Sequence, residues 1–270
     1  MQTWLSIHFY PLEAENVFLA RAVKPFLEQY IWPTKGARAF FVRYDDEKGQ
    51  HIRLRLRGEA AWVDETLRPA LKGWFAERGE WEEVAYLPEK ERFGGEEPLA
   101  WAEEYFHIST RVVLERLAKD AHTYGDAMFD ALRMHVITAF AAGFSRERAA
   151  WYFDQLCNQW LSLFFQPTDA GVAEIDLQSN LKTQFEKNFE PQNGELRASL
   201  GELWKALEAE KFDTKQPEWV RWLRGNQLIL KEFGGNLDKA LPSLLHLTNN
   251  RLGVNNQDEV YLNYILSKVL

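Results

Sequence analysis

Seven consecutive residues, His51-Ile52-Arg53-Leu54-Arg55-Leu56-Arg57, alternate cationic or imidazole side chains with apolar ones. A strand sends successive side chains to opposite faces, so His51, Arg53, Arg55 and Arg57 share one face and Ile52, Leu54 and Leu56 the other. The segment therefore calls for a sheet that is apolar on one side and basic on the other. Just upstream, Arg38 to Tyr44 is also strand-like, and Asp45-Asp46-Glu47-Lys48-Gly49-Gln50 is a polar, Gly-containing connector, which predicts a β-hairpin with a longer loop. By alternation alone the basic face is a solvated one. Like charges along one strand face repel, however, and a sheet that holds them has carboxylates or phosphates nearby, which guanidinium forks suit.

The rest of the first third mixes strand and helix. Trp4 to Tyr10 predicts a strand, Glu13 to Tyr30 a helix that Pro25 bends, Trp62 to Arg78 a second helix, and Glu82 to Leu87 a strand ended by Pro88. From Pro98 onward the spacing is helical over Ala100 to Ala118, Gly125 to Ala142, Ser145 to Phe165 and Glu195 to Glu208. It continues over Pro217 to Phe233, Asn236 to Asn249 and Gln257 to Val269, with Gly234-Gly235 as a helix stop. No repeat period or Pro/Gly/Ser linker breaks the chain. These elements predict one α+β domain over residues 1–270. A mainly antiparallel sheet comes from the mixed strand and helix part, residues 1–95, and a mostly helical remainder, residues 96–270, encloses it.

Composition removes several function classes. A formal charge of −8 lacks the dominating cationic face that direct nucleic-acid binding needs, though a local basic pocket is compatible with it. No apolar run of about eighteen residues predicts a membrane span, and the N-terminus lacks the basic region and apolar run of a secretion signal. The single cysteine, Cys157, has no internal partner, so a cytoplasmic setting is expected, with the thiol buried in an apolar helix. The other histidines, His8, His51, His107, His122 and His135, show neither HExxH nor His-x-His spacing, and no phosphate-binding glycine loop is present. No metal and no cofactor are expected. Eleven tryptophans and eighteen phenylalanines predict a large aromatic core, with a few left to line a peptide groove.

Two further segments carry reactive side chains. Glu89-Lys90-Glu91-Arg92-Phe93-Gly94-Gly95 places an arginine beside a glycine turn that lets backbone approach closely. His246-Leu247-Thr248-Asn249-Asn250-Arg251-Leu252-Gly253 ends a predicted helix, where a histidine is favoured by the dipole and polar neighbours crowd it. Taken singly, each segment reads equally as ordinary surface.

Phe41-Val42-Arg43-Tyr44, the His51-Ile52-Arg53-Leu54-Arg55 strand, Arg92-Phe93-Gly94-Gly95, and His246 through Asn250-Arg251-Leu252-Gly253 occur in this order across nearly the whole chain. Together they resemble the C-terminal domain of lantibiotic dehydratases, also called the thiopeptide-type bacteriocin biosynthesis domain. The resemblance implies a lyase that removes glutamate from glutamylated Ser or Thr of a ribosomally made precursor peptide, leaving dehydroalanine or dehydrobutyrine. Residue by residue it implies that Arg53, Arg55, Arg92 and His246 are catalytic. Arg43, Tyr44, His51, Asn250 and Arg251 are the expected substrate-binding residues. β-Elimination needs a base for the Cα proton and a cradle for developing negative charge, and a histidine and arginines are residue types that supply these.

Two departures qualify the resemblance. The family's large glutamylating region has no counterpart in these 270 residues, so a separate glutamylating dehydratase subunit is the expected partner. Ser109-Thr110 stands where the family commonly shows an Asp-Ser pair. Two alternatives stay open: a pyridine-forming [4+2] cycloaddition between dehydroalanines, known in a branch of the family, and a non-catalytic subunit that presents a peptide. Homodimerisation is compatible with the resemblance and is not established by the helix faces.

Overall fold

The structure is a computed structural model and describes residues 1–164, 174–212 and 215–270. Phe165, the end of one predicted helix, lies outside the described residues. The chain forms two compact units, one of Met1–Thr123 with Lys231–Gly253, the other of Tyr124–Leu230 with Val254–Leu270. The class is the expected α+β: an antiparallel sheet from the N-terminal third, then helices.

In the first unit the sheet order is β2-β3-β1-β4, with β1 Gln2–Pro11, β2 Arg38–Asp46, β3 Gly49–Glu59 and β4 Gly79–Glu83. The alternation of β3 sorts as anticipated. Leu5, Ile7, Phe9, Ala39, Phe41, Ile52, Leu54 and Leu56 form one face and are almost wholly buried. The helices at residues 15–30 and 60–75 cover that face, with Phe9 stacked on Phe18 and tilted against Phe75. Each of these helices contains a π-helical turn, Leu19–Val23 and Val63–Leu67, that ends two residues before a proline, Pro25 or Pro69. A proline inside a helix removes one amide donor and crowds the preceding turn; widening that turn accommodates it. Hence Pro25 does not break the helix.

Two strand boundaries differ from the sequence expectation. The hairpin strands reach further than the connector suggested, leaving Glu47-Lys48 as the turn: Lys48 N–H donates to Asp46 Oδ1 at 2.9 Å, and Gly49 takes φ +103°. The fourth strand starts at Gly79 rather than Glu82, because its register on β1 runs from Pro11↔Gly79 to Ile7↔Glu83. Beyond it, Tyr86 leaves the sheet and lies against Trp4 and Phe40.

Strand β2 lies at the sheet edge, so alternate backbone groups point away from β3. Side chains cap them. His107 Nδ1 lies 3.1 Å from both the amide nitrogen and the carbonyl of Ala39. Phe41 N–H donates to Thr110 Oγ1 at 3.3 Å. Asn250 accepts from Arg43 N–H and donates back to its carbonyl, each at 2.9 Å. His107 and Thr110 belong to the Glu96–Leu117 helix and Asn250 to the Leu237–Leu252 helix. Thr110, one of the departing pair, thus serves the sheet edge, while Ser109 Oγ donates to Phe106 O.

The second unit is helical: Tyr124–Ala141, Arg146–Phe164, Glu174–Phe189, Asn193–Glu208, Pro217–Ile229 and Asn256–Val269. The Glu174–Phe189 helix was not anticipated; its sequence is mostly polar, with Phe185 and Phe189 packing on Tyr261 and Tyr264. Trp204, Trp219 and Trp222 are buried, and Trp222 Nε1 donates to Met134 O at 3.0 Å. Cys157 is buried, which pushes its thiol up to about 12.

His135 is 1% exposed, neither ring nitrogen has a hydrogen-bond partner, and burial pushes its imidazole down to about 3. A histidine whose folded value is depressed contributes full stability above its unfolded value, and loses it as pH falls toward the folded one. Replacing His135 with leucine is therefore expected to raise stability by about 1–3 kcal/mol at neutral pH and to flatten the loss of stability below about pH 6.5. Urea unfolding from pH 7 to 4 checks both; a destabilised variant with an unchanged slope would sink the idea.

Candidate active site

The polar face of the sheet lies within the first unit. Register places Phe40, Arg55 and Ser6 side by side across β2, β3 and β1, and Val42, Arg53 and His8 in the next row. Tyr44 and His51 face each other in the row beyond. Arg57, at the other end, is neutralised: its Nη1 and Nη2 lie 3.2 and 3.0 Å from Glu103 and Glu104. Arg38 also binds Glu104.

Arg53 and Arg55 differ sharply from Arg57. Arg53 Nε donates to His51 Nε2 at 3.2 Å, and its guanidinium stacks 3.2 Å from the Tyr44 ring centroid. His51 Nδ1 in turn lies 3.0 Å from Gly49 O, so the network is satisfied with the proton on Nδ1. Arg55 is 8% exposed and directs Nη1 to Ile7 O at 3.1 Å, with Nη2 3.4 Å from His8 Nε2. No carboxylate among the described residues pairs with either. Burial, then the charge of Arg53, draws the Arg55 guanidinium down to about 10, so it stays cationic at neutral pH. Burial and these same cations push His8 down to about 4, which makes it a neutral imidazole between two charges.

Tyr86 roofs part of this face. Its ring lies 5.0 Å from Trp4 and 5.8 Å from the Arg55 guanidinium, and its hydroxyl donates to Glu103 Oε1 at 3.0 Å. Burial raises both the Tyr86 phenol and the Glu103 carboxyl. Arg251, in the last turn of Leu237–Leu252, is fully buried with its guanidinium 4.7 Å from the Phe106 ring and 5.9 Å from Phe40.

Arg92 sits in the short Lys90–Phe93 helix and is turned toward Leu237–Leu252, where its Nε donates to Ser243 Oγ at 2.8 Å. Glu89 holds its Nη1. Ser243 and His246 are three residues apart and thus neighbours on one helix face, with Asn250 four further along it. Gly94 makes this placement possible: it takes φ +103°, and a Cβ there would lie 2.7 Å from Asn236 Oδ1.

The nine anticipated site residues thus fall into three groups. Tyr44, His51, Arg53 and Arg55 are contiguous on the sheet face. Arg92 and His246 meet the same face of one helix. Arg43, Asn250 and Arg251 form a knot at the β2 edge, where the Arg43 fork is taken up by Glu15, Asn16 and the carbonyl of Arg251. Sequence reasoning missed His8, Ser6 and Tyr86. The first two were readable from the Trp4-x-Ser6-x-His8 alternation of β1; Tyr86 carried no pattern. No group of three or more His, Cys, Asp or Glu among the described residues is placed to hold a metal. No described helix is long and apolar enough to cross a membrane.

Fold and site together define an α+β protein with two arginines lacking a carboxylate partner among the described residues, one of them buried, on the polar face of a four-stranded antiparallel sheet. A family model described as lantibiotic biosynthesis dehydratase C-term matches residues 4–270, and the chain belongs to that family. Among solved structures it is similar to the tRNA-dependent lantibiotic dehydratase MibB from Microbispora sp. 107891, with TM-score 0.69 and 20% identity. That match covers 98% of this chain and 28% of MibB, so the chain spans little more than a quarter of that protein. It is also similar to TbtD, the pyridine synthase of thiomuracin biosynthesis, with TM-score 0.76, 13% identity, and coverage of 98% of this chain and 97% of TbtD. TsrL matches with TM-score 0.68 and 15% identity over 100% of this chain and 94% of its own. No curated protein sequence matches the chain.

Proposed function

We propose that the protein eliminates glutamate from glutamylated Ser or Thr side chains of a ribosomally made precursor peptide. The observation that carries this reading is the carboxylate-free pair Arg53 and Arg55, the latter 8% exposed. A buried cation without a partner is costly, and a substrate carboxylate supplies the missing charge. In the reaction a base removes the Cα proton, the Cβ–O bond breaks, and its electron pair leaves with glutamate as a carboxylate. Arg53, Arg55 and Arg92 hold the glutamyl group and the enolate charge, and His246 exchanges the proton. Tyr44, His51, Arg43, Asn250 and Arg251 shape the surrounding binding surface. The glutamyl group is installed on the peptide in an earlier, glutamylating step.

Incubating the pure protein with a glutamylated precursor is expected to give a mass loss of one glutamic acid per site, with an alkene left in the peptide. His246→Ala is expected to slow this about 10²–10⁴-fold, the usual worth of an acid–base group. A variant as fast as the parent removes His246 from the mechanism. Pyridine formation by [4+2] cycloaddition between two dehydroalanines is the second reading, since the fold also superposes on a pyridine synthase. That chemistry needs two alkenes held together rather than a carboxylate clamp. An unchanged mass with the glutamylated peptide would remove the first reading. Ring formation from a dehydrated peptide would establish the second, and tight peptide binding without turnover would point to a presenting subunit.

A further inference from the structure

Arg251 is the most deeply buried cation of the first unit, and its hydrogen bonding is incomplete. Nη1 donates to Leu247 O at 2.9 Å, while Nε and Nη2 have no partner. Those two nitrogens lie on the same edge of the guanidinium, the edge that grips a carboxylate side-on with two parallel hydrogen bonds. Ser6, 2% exposed, likewise has an unpartnered Oγ. The sheet brings these groups into one neighbourhood. Ser6 and Phe40 stand directly opposite Arg55 on its two flanking strands, and Arg251 lies over the Phe40 ring. Tyr86, beside Phe40 and the Arg55 guanidinium, feels the charge of both Arg55 and Arg251. The nearby acid, Glu103, is already engaged by Tyr86 and Arg57.

We propose that Arg251, Arg55 and Ser6 form a buried carboxylate subsite, with the Nε/Nη2 edge of Arg251 as its principal grip. Naming the acid as the substrate's glutamyl group rests on the elimination reading above; the subsite itself rests on the unpaired donors. A glutamyl ester of Ser or Thr carries one free carboxylate, and the glutamate that leaves carries two. The subsite takes the free side-chain carboxylate, which leaves the ester end to Arg53 and the reacting groups.

The test is binding of free L-glutamate to the intact protein, followed by calorimetry and by the Arg251 Nε–H resonance, assigned by its absence from the Arg251→Lys spectrum. Glutamate is expected to bind and move that resonance, and glutamine, which lacks the side-chain charge, to do neither. Arg251→Lys keeps the charge and loses the fork, and is expected to weaken glutamate binding by about tenfold or more. Ser6→Ala is expected to weaken it less. An unmoved resonance, equal binding of glutamine, or full affinity in Arg251→Lys would each overturn the subsite, and the resonance needs no variant to be active. Should glutamate bind through Arg251 while no glutamylated peptide is turned over, the elimination reading fails and the subsite stands. Turnover with glutamate affinity indifferent to Arg251 gives the reverse.

Discussion

Arg55→Gln is expected to lose about 10²–10³-fold in elimination rate while leaving the protein as stable as before, or more so. Removing one charge-stabilising donor from a preorganised site typically costs that much in rate. Stability should not follow, because Arg55 has no carboxylate partner to orphan, and burying an uncompensated guanidinium is itself unfavourable. Arg57→Gln, two residues along the same strand face, should behave in the opposite way. It strips Glu103 and Glu104 of a cation, with Glu103 6% exposed, and should cost about 2–4 kcal/mol of stability. Turnover of glutamylated peptide set beside urea unfolding checks both variants. If Arg55→Gln unfolds as easily as Arg57→Gln, the distinction between a functional and a structural arginine is lost.

Gly94→Ala should lower stability and reach the site through Arg92. A side chain at φ +103° is strained, and its Cβ would lie 2.7 Å from Asn236 Oδ1, so a loss of about 2–3 kcal/mol is expected. The Lys90–Phe93 turn that Gly94 caps carries Arg92 onto Ser243, so turnover should fall with it. Adding Asn236→Gly removes the clash and leaves the strain, so the double variant should recover only part of the stability. Thermal unfolding of the three proteins measures the coupling. A Gly94→Ala protein with unchanged melting would show that the turn relaxes freely.

The strand face was legible because its period is local: Arg53 and Arg55 sort to one side of β3 by alternation, and burial of Ile52, Leu54 and Leu56 follows. What alternation could not tell was charge balance. Arg57 and Arg55 look alike along the strand, yet Glu103 and Glu104 sit nearly fifty residues away and form ion pairs with Arg57 and Arg38, not with Arg55. The proximity of Arg92 to the His246 helix was likewise unreadable from periodicity, since it depends on tertiary packing through Ser243. There the family pattern did the joining. Tyr86 was lost because it lies just past a strand whose register, not its composition, decided where it ended.

The capped outer margin of β2 has a consequence for how this protein meets extended chains. His107, Thr110 and Asn250 occupy the backbone groups of Ala39, Phe41 and Arg43 that an added strand would use. Strand invasion from that side is blocked by side chains rather than by charge. At the opposite margin, β4 carries Glu80, Glu82 and Glu83, with Lys48 and Arg68 bound to two of them. Acidic side chains along a short border strand discourage self-pairing. The molecule thus protects its two sheet margins by different means, one by occupation and the other by electrostatic repulsion, and only the second would weaken in high salt.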